Sequence, residues 1–222
     1  MRFVFLFILL PFFFFGQNAN DSLSSQRYFE DQFYLGLSYN FLLNQPEGSS
    51  QRNLSYGLQA GVIKDIPLNL SGTKAIGFGA GLAINSYYSN LVANISNDVI
   101  TYSIDDKIKR SNLESHLIEF PLEFRWRNST LEEYKFWRIY MGIKAAYIVG
   151  ARSKFVSDTT SDGFYNTDIS KFQYGLTLSF GYNTFNIHAY YALTDLFNGD
   201  ATVNGEVLQY RPLRIGLIFY IL

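Results

Sequence analysis

The chain has 222 residues, 48% hydrophobic and 18% aromatic, with 17 Tyr and 21 Phe but only 17% charged, where an average soluble domain carries about 25% charge. Cysteine is absent, which excludes a disulfide framework, thiolate metal sites and cysteine nucleophiles. Two histidines, His116 and His188, leave little room for a zinc site, and 18 Lys+Arg against 19 Asp+Glu give −1, so no basic field invites nucleic acid.

The N-terminus reads as an address. Arg2 supplies a positive start, Phe3 to Phe15 form an apolar run broken only by Pro11, and Gly16 precedes the polar stretch 17–21. The run is too short to cross about 30 Å of hydrocarbon as a helix, so residues 1–16 are expected to be a secretory signal, the alternative being an uncleaved anchor. Cleavage would remove Arg2 and leave 17 basic against 19 acidic residues, or −2. Residues 17–30 follow as a short periplasmic tail. The remainder, 31–222, has no second apolar run long enough for a spanning helix.

From Phe33 the pattern has a period of two. Phe33, Leu35, Leu37, Tyr39, Phe41 and Leu43 share one face, opposed by Tyr34, Gly36, Ser38 and Asn40. The rhythm returns over 54–62, 76–85 and 118–127, the last opposing Ile118, Phe120, Leu122, Phe124 and Trp126 to Glu119, Pro121, Glu123, Arg125 and Arg127. Four more runs follow at 137–147, 172–182, 185–194 and 213–221. Eight alternating runs predict eight strands, because a helix would need apolar residues three and four apart.

Long polar connections at 44–52, 89–112 and 151–170, with an intermediate one at 198–210, alternate with shorter ones at 66–73, 128–135 and 183–184. Outer-membrane barrels share this asymmetry, with long external loops, short periplasmic turns and an even strand number. An eight-stranded interior is only just wide enough for its side chains, so the bulky face must point to lipid and the small, polar face inward. Gly77, Gly79 and Gly81 suit such an interior. Phe33, Trp126, Trp137, Phe172, Tyr182 and Phe185 stand at strand ends, where interfacial girdles are expected. The fold predicted is all-β, an eight-stranded antiparallel barrel with both termini periplasmic, in the outer membrane of a Gram-negative bacterium.

Glu119, Glu123, Arg125, Arg127, Arg138, Lys144 and Arg214 share the lumen phase. Ions taken from water need partners, so these residues are expected to form a salt-bridged plug; a pore or anion site is the weaker alternative. His188 shares that phase, with Thr194 and Asp195 nearby in sequence, so a His-based hydrolase or acyltransferase is conceivable, though no nucleophile stands in a recognisable motif. A hydrogen-bonded lumen histidine is the simpler reading. No cofactor, metal or small-molecule substrate is implied.

Several segments carry a resemblance. Asp31-Gln-Phe-Tyr-Leu-Gly, Lys64-Asp-Ile-Pro-Leu-Asn, Glu119-Phe-Pro-Leu-Glu-Phe-Arg-Trp-Arg-Asn-Ser-Thr130, Lys135-Phe-Trp-Arg-Ile-Tyr and the 181–191 hairpin together resemble the PorT family of Bacteroidetes outer-membrane barrels. The likeness runs from about residue 28 to the C-terminus and is most specific around 119–138. Phe185 stands where Trp is expected, and the chain ends Ile221-Leu222 rather than in an aromatic. Membership would imply a non-enzymatic role in type IX secretion and gliding, through contacts with other secretion proteins. A lipid-modifying enzyme of the outer leaflet and a structural or adhesive barrel are the alternatives.

Overall fold

The computed structural model describes residues 31–69, 71–128, 137–157, 160–183 and 185–221; the expected signal and tail, 1–30, lie outside them. In chain order the described strands are β1 (Asp31–Leu43), β2 (Tyr56–Pro67), β3 (Lys74–Ser89), β4 (Leu91–Ser96), β5 (Val99–Ile104) and β6 (Arg110–Arg127). They continue as β7 (Trp137–Val156), β8 (Ser161–Tyr165), β9 (Phe172–Tyr182), β10 (Phe185–Ala192), β11 (Thr202–Val203), β12 (Glu206–Val207) and β13 (Arg211–Ile221).

Eight of these close a barrel in the order β1-β2-β3-β6-β7-β9-β10-β13, every neighbouring pair antiparallel. The first and last strands meet along Phe33↔Ile221 to Leu43↔Arg211, so no edge is left open around the ring. Closure matters because hydrocarbon offers no hydrogen bonds to a free strand edge. β9 shows the underlying logic: its eleven residues alternate strictly between exposed and buried. Phe172, Tyr174, Leu176, Leu178, Phe180 and Tyr182 point out, while Gln173, Gly175, Thr177, Ser179 and Gly181 point in. The alternation that a soluble sheet would read as core against water is inverted here.

Asp31 and Ile221 share one end with the strand ends at Pro67 and Lys74, Arg127 and Trp137, and Tyr182 and Phe185. We call this the turn end, and the opposite end the loop end. The long connections at the loop end are far more structured than a polar-loop reading suggests. β3, β6 and β7 continue into segments 89–112 and 151–170, and β8 adds to the outer part of β7. Segment 91–104 is a hairpin whose turn residues Asn97 and Asp98 both have positive φ, 50° and 63°. Asn204 and Gly205, at 53° and 84°, turn the β11–β12 hairpin in the same way. Both are two-residue turns with two left-handed residues, the geometry that suits the twist of a tight hairpin.

Two irregularities interrupt the ladder. His116 pairs with Gly150 but Leu117 pairs with Ile148, so Val149 is an extra residue. This bulge reverses the phase of β7: Val149 points out, and beyond it Arg152 and Lys154 do. The second is Pro121, in the middle of β6. The pairs of β6 with β3 stop at Phe78↔Leu122 and resume at Gly81↔Glu119, as expected where proline has no N–H to donate.

The interior is filled by larger groups than the small-residue expectation allowed. Tyr34, Ile63, Tyr140, Ile218 and Tyr220 form one buried cluster near the turn end. Glycines make room for them: a Cβ on Gly61 would lie 2.6 Å from Tyr34 Oη, and one on Gly81 would collide with it. At the loop end a second core gathers Leu42, Tyr87, Leu91, Leu117, Ile148, Ile169, Leu196, Phe197, Leu208 and Tyr210, capping the barrel with its own apolar interior.

Candidate functional site: the sealed lumen and its cap

Successive odd residues of β6 place Glu119, Glu123, Arg125 and Arg127 in one inward row, and the other strands bring their partners to it. In the tier nearer the turn end, Arg125 Nη1 meets Asp65 Oδ1 at 2.7 Å and its Nε meets Glu123 Oε2 at 3.1 Å. Arg127 Nη1 lies 3.2 Å from Asp65 Oδ2, and its Nε donates to the Gly72 carbonyl at 2.8 Å. The Arg125 guanidinium also sits 4.3 Å from the Tyr140 ring centre and 4.9 Å from that of Tyr220, close enough for cation–π attraction. Arg138 approaches the same two rings at about 6 Å.

In the upper tier Glu119 takes two cations, Lys144 Nζ at 2.9 Å and Arg214 Nη1 at 3.1 Å. Lys144 donates to Gln59 Oε1 at 2.6 Å and Arg214 to Asn85 Oδ1 at 3.2 Å. Arg214 lies 3.9 Å over the Tyr190 ring. All the charged groups of both tiers are buried. Ions so far from water are tolerable only with such partners, since an ion left unpaired there costs several kcal/mol.

All seven charged residues singled out on the lumen phase thus point inward. Sequence reading missed Asp65, which binds two arginines. Its signal was present: Asp65 is in phase with Gln59, Gly61 and Ile63, but lies beyond residue 62, where the alternating run was read to end. His188 is also inward, with Nδ1 2.8 Å from Ser179 Oγ. The structure does not bring His188, Thr194 and Asp195 together. Thr194 Oγ1 accepts from the Tyr174 N–H at 3.3 Å, and Asp195 Oδ1 is held by Arg211 at 3.0 Å.

The six aromatics singled out at strand ends are all exposed on the outer wall. Five gather at the turn end, where Trp137 stacks on Phe180 at 5.1 Å and Phe185 meets Phe219 edge-on at 5.8 Å. Phe172 belongs instead to the loop end, packed on Tyr147 at 5.1 Å. Tyr39 and Phe41, 4.7 Å apart, extend that second girdle and were not singled out.

Polar contacts lock the cap. Tyr102 Oη lies 3.1 Å from Asp168 Oδ2 and accepts from Asn166 Nδ2 at 3.0 Å. Burial pushes the Tyr102 hydroxyl above its ordinary pKa of 10. Asn166 Nδ2 also donates to Ser153 Oγ at 2.8 Å, Arg52 pairs with Asp106 at 2.6 Å, and Ser49 Oγ bonds Tyr210 Oη. Between ion pairs below and an apolar core above, side chains obstruct the lumen along its length.

A closed eight-stranded antiparallel barrel with an apolar outer wall, two aromatic girdles and a charged, filled interior is an outer-membrane β-barrel. Residues 15–198 match the family model described as outer membrane protein beta-barrel domain, and the chain belongs to that family of the Gram-negative outer membrane. Among solved structures it is similar to Ail, the attachment invasion locus protein of Yersinia pestis, at 10% identity and TM-score 0.34, covering 86% of this chain and 96% of that one. It is also similar, at 11% identity and TM-score 0.15, to a chain from work on the asymmetric conductivity of engineered proteins, covering 87% of this chain and 100% of that one. No curated protein matches.

Proposed function

We propose that this barrel acts through protein–protein contacts of its rim, cap and wall, as a non-conducting and non-catalytic accessory or assembly factor of type IX secretion in a Bacteroidetes-like bacterium. The observation that carries the non-conducting part is the filled lumen: an interior packed with paired ions and tyrosines cannot pass a folded protein. The secretion role rests on the resemblance of the 31–36, 64–69, 119–130, 135–140 and 181–191 segments to the PorT family. In this reading the termini and the 183–184 turn are periplasmic, and the cap faces outward. Deleting the gene is expected to leave secreted proteases or gliding adhesins in the periplasm. Normal export of all such cargo would remove the secretion role.

One observation favours a second reading, an adhesive barrel. Among the described residues, β8 prolongs the β3-β6-β7 sheet beyond the girdle and pairs on one side only, with Tyr165 exposed. A free sheet edge can take an extended segment of another protein. Unchanged secretion with lost surface binding in the deletion strain would select this reading.

A further inference from the structure

In the upper tier of the lumen, two cations share one carboxylate. Lys144 and Arg214 both bind Glu119, while Glu123 pairs with Arg125. This buried group therefore carries one positive charge in excess. Beside it lies a cavity of about 10 Å³ whose lining includes Arg214, His188, Asn85, Gln59, Ser38 and Tyr190. Asn85 Nδ2 and His188 Nε2, both on residues more than nine-tenths buried, have no hydrogen-bond partner among the described residues, and the remaining N–H groups of Arg214 have only Tyr190 beside them.

The surrounding bonds set the polarity of Asn85, and the tautomer of His188 sets that of its Nε2. Asn85 Oδ1 accepts from Arg214 Nη1 and, at 3.4 Å, from Asn40 Nδ2, so its amide N–H groups are the ones left over. When the Ser179 hydroxyl donates to His188 Nδ1, the neutral ring carries its proton on Nε2. With its proton on Nε2, His188 joins Asn85 and Arg214 as donors in a wall that also holds the Tyr190 and Ser38 hydroxyls, beside excess positive charge. What complements it is small, anionic and an acceptor only. A cavity of about 10 Å³ has room for a single atom-sized ligand, which excludes phosphate and carboxylates. A water molecule could bond the Ser38 and Tyr190 hydroxyls but would neutralise nothing.

We propose that this cavity is a binding site for a single halide ion, chloride under physiological conditions, held by Arg214, Asn85 and His188 and neutralising the Lys144–Glu119–Arg214 group. The ion is a structural ligand that completes the plug, independent of any role in secretion.

The test uses the full barrel folded in detergent micelles. Its thermal unfolding, read by loss of the compact band on unheated gels, is compared in sodium chloride, bromide and gluconate at equal ionic strength. The midpoint should be higher in both halides and climb by roughly 3–5 °C per tenfold rise in chloride above its Kd. Asn85→Asp places a fixed carboxylate beside Arg214 and should abolish the halide dependence. Crystals grown in bromide should show an anomalous peak in the cavity. Equal wild-type midpoints in chloride and gluconate would overturn the proposal, leaving water in the cavity or Lys144 uncharged. An equal halide effect in Asn85→Asp would overturn it too, by exposing a bulk salt effect. If Asn85→Asp fails to fold, the wild-type midpoints and the bromide peak decide alone.

Discussion

Ile143 and Lys144 are neighbours on β7, yet they face different solvents. Ile143 meets lipid and is 55% exposed, whereas Lys144 is buried and bound to Glu119. Leu196, in the cap, is as apolar as Ile143 but fully buried among other side chains. The three positions separate three sources of stability within one chain: ion pairing in the lumen, lipid solvation at the wall, and water-driven burial in the cap. The wall gains little from burying apolar groups, because lipid tails are about as apolar as the side chains they touch. Specificity of the fold therefore rests on the interior and the cap.

The largest effect is expected at Glu119. Glu119→Ala leaves Lys144 and Arg214 without their shared carboxylate and should cost about 3–5 kcal/mol in equilibrium urea unfolding. Glu123→Ala should cost less, since Arg125 keeps Asp65. Next comes Leu196→Ala, which should destabilise the cap by about 2–4 kcal/mol, seen as faster limited proteolysis of the 161–171 region. Ile143→Ala, with lipid filling the space, should stay below about 1 kcal/mol in the same unfolding assay. Equal losses at Leu196 and Ile143 would erase the distinction between cap and wall.

Tyr102 gives a smaller effect, with a definite pH dependence. Burial raises its folded-state pKa above the ordinary value of 10, so its stabilisation of the cap is complete below about pH 10. That contribution falls as pH rises towards the folded-state value. Tyr102→Phe should cost about 1 kcal/mol at neutral pH through the lost hydrogen bonds. Protease protection of the cap should then weaken less steeply in the variant above pH 10 than in the wild type. Parallel weakening in both would place the alkaline sensitivity elsewhere.

Much of this was legible in the sequence because a strand has a period of exactly two residues only while its ladder is regular. The inward row Glu119, Glu123, Arg125 and Arg127 follows from that period alone. Beyond Val149 the period misled, because one bulged residue reverses the phase and makes 151–156 look like loop. The Asn97-Asp98 and Asn204-Gly205 turns carried a readable hairpin signal inside segments whose polarity hid it. Which carboxylate meets which cation was not readable, since pairing across the lumen depends on the tilt and stagger of the strands. That is how Asp65, on β2, comes to hold two arginines of β6.

The obstructed lumen is tested most directly by electrical recording from the purified barrel in a planar lipid bilayer. The filled interior predicts no stable conducting state: insertion should leave the current at the bare-membrane level, in Glu119→Gln as in the wild type. Discrete, long-lived open-channel steps from the wild-type protein would contradict the account, because they require a continuous water path where Asp65, Glu119 and their cations now close it.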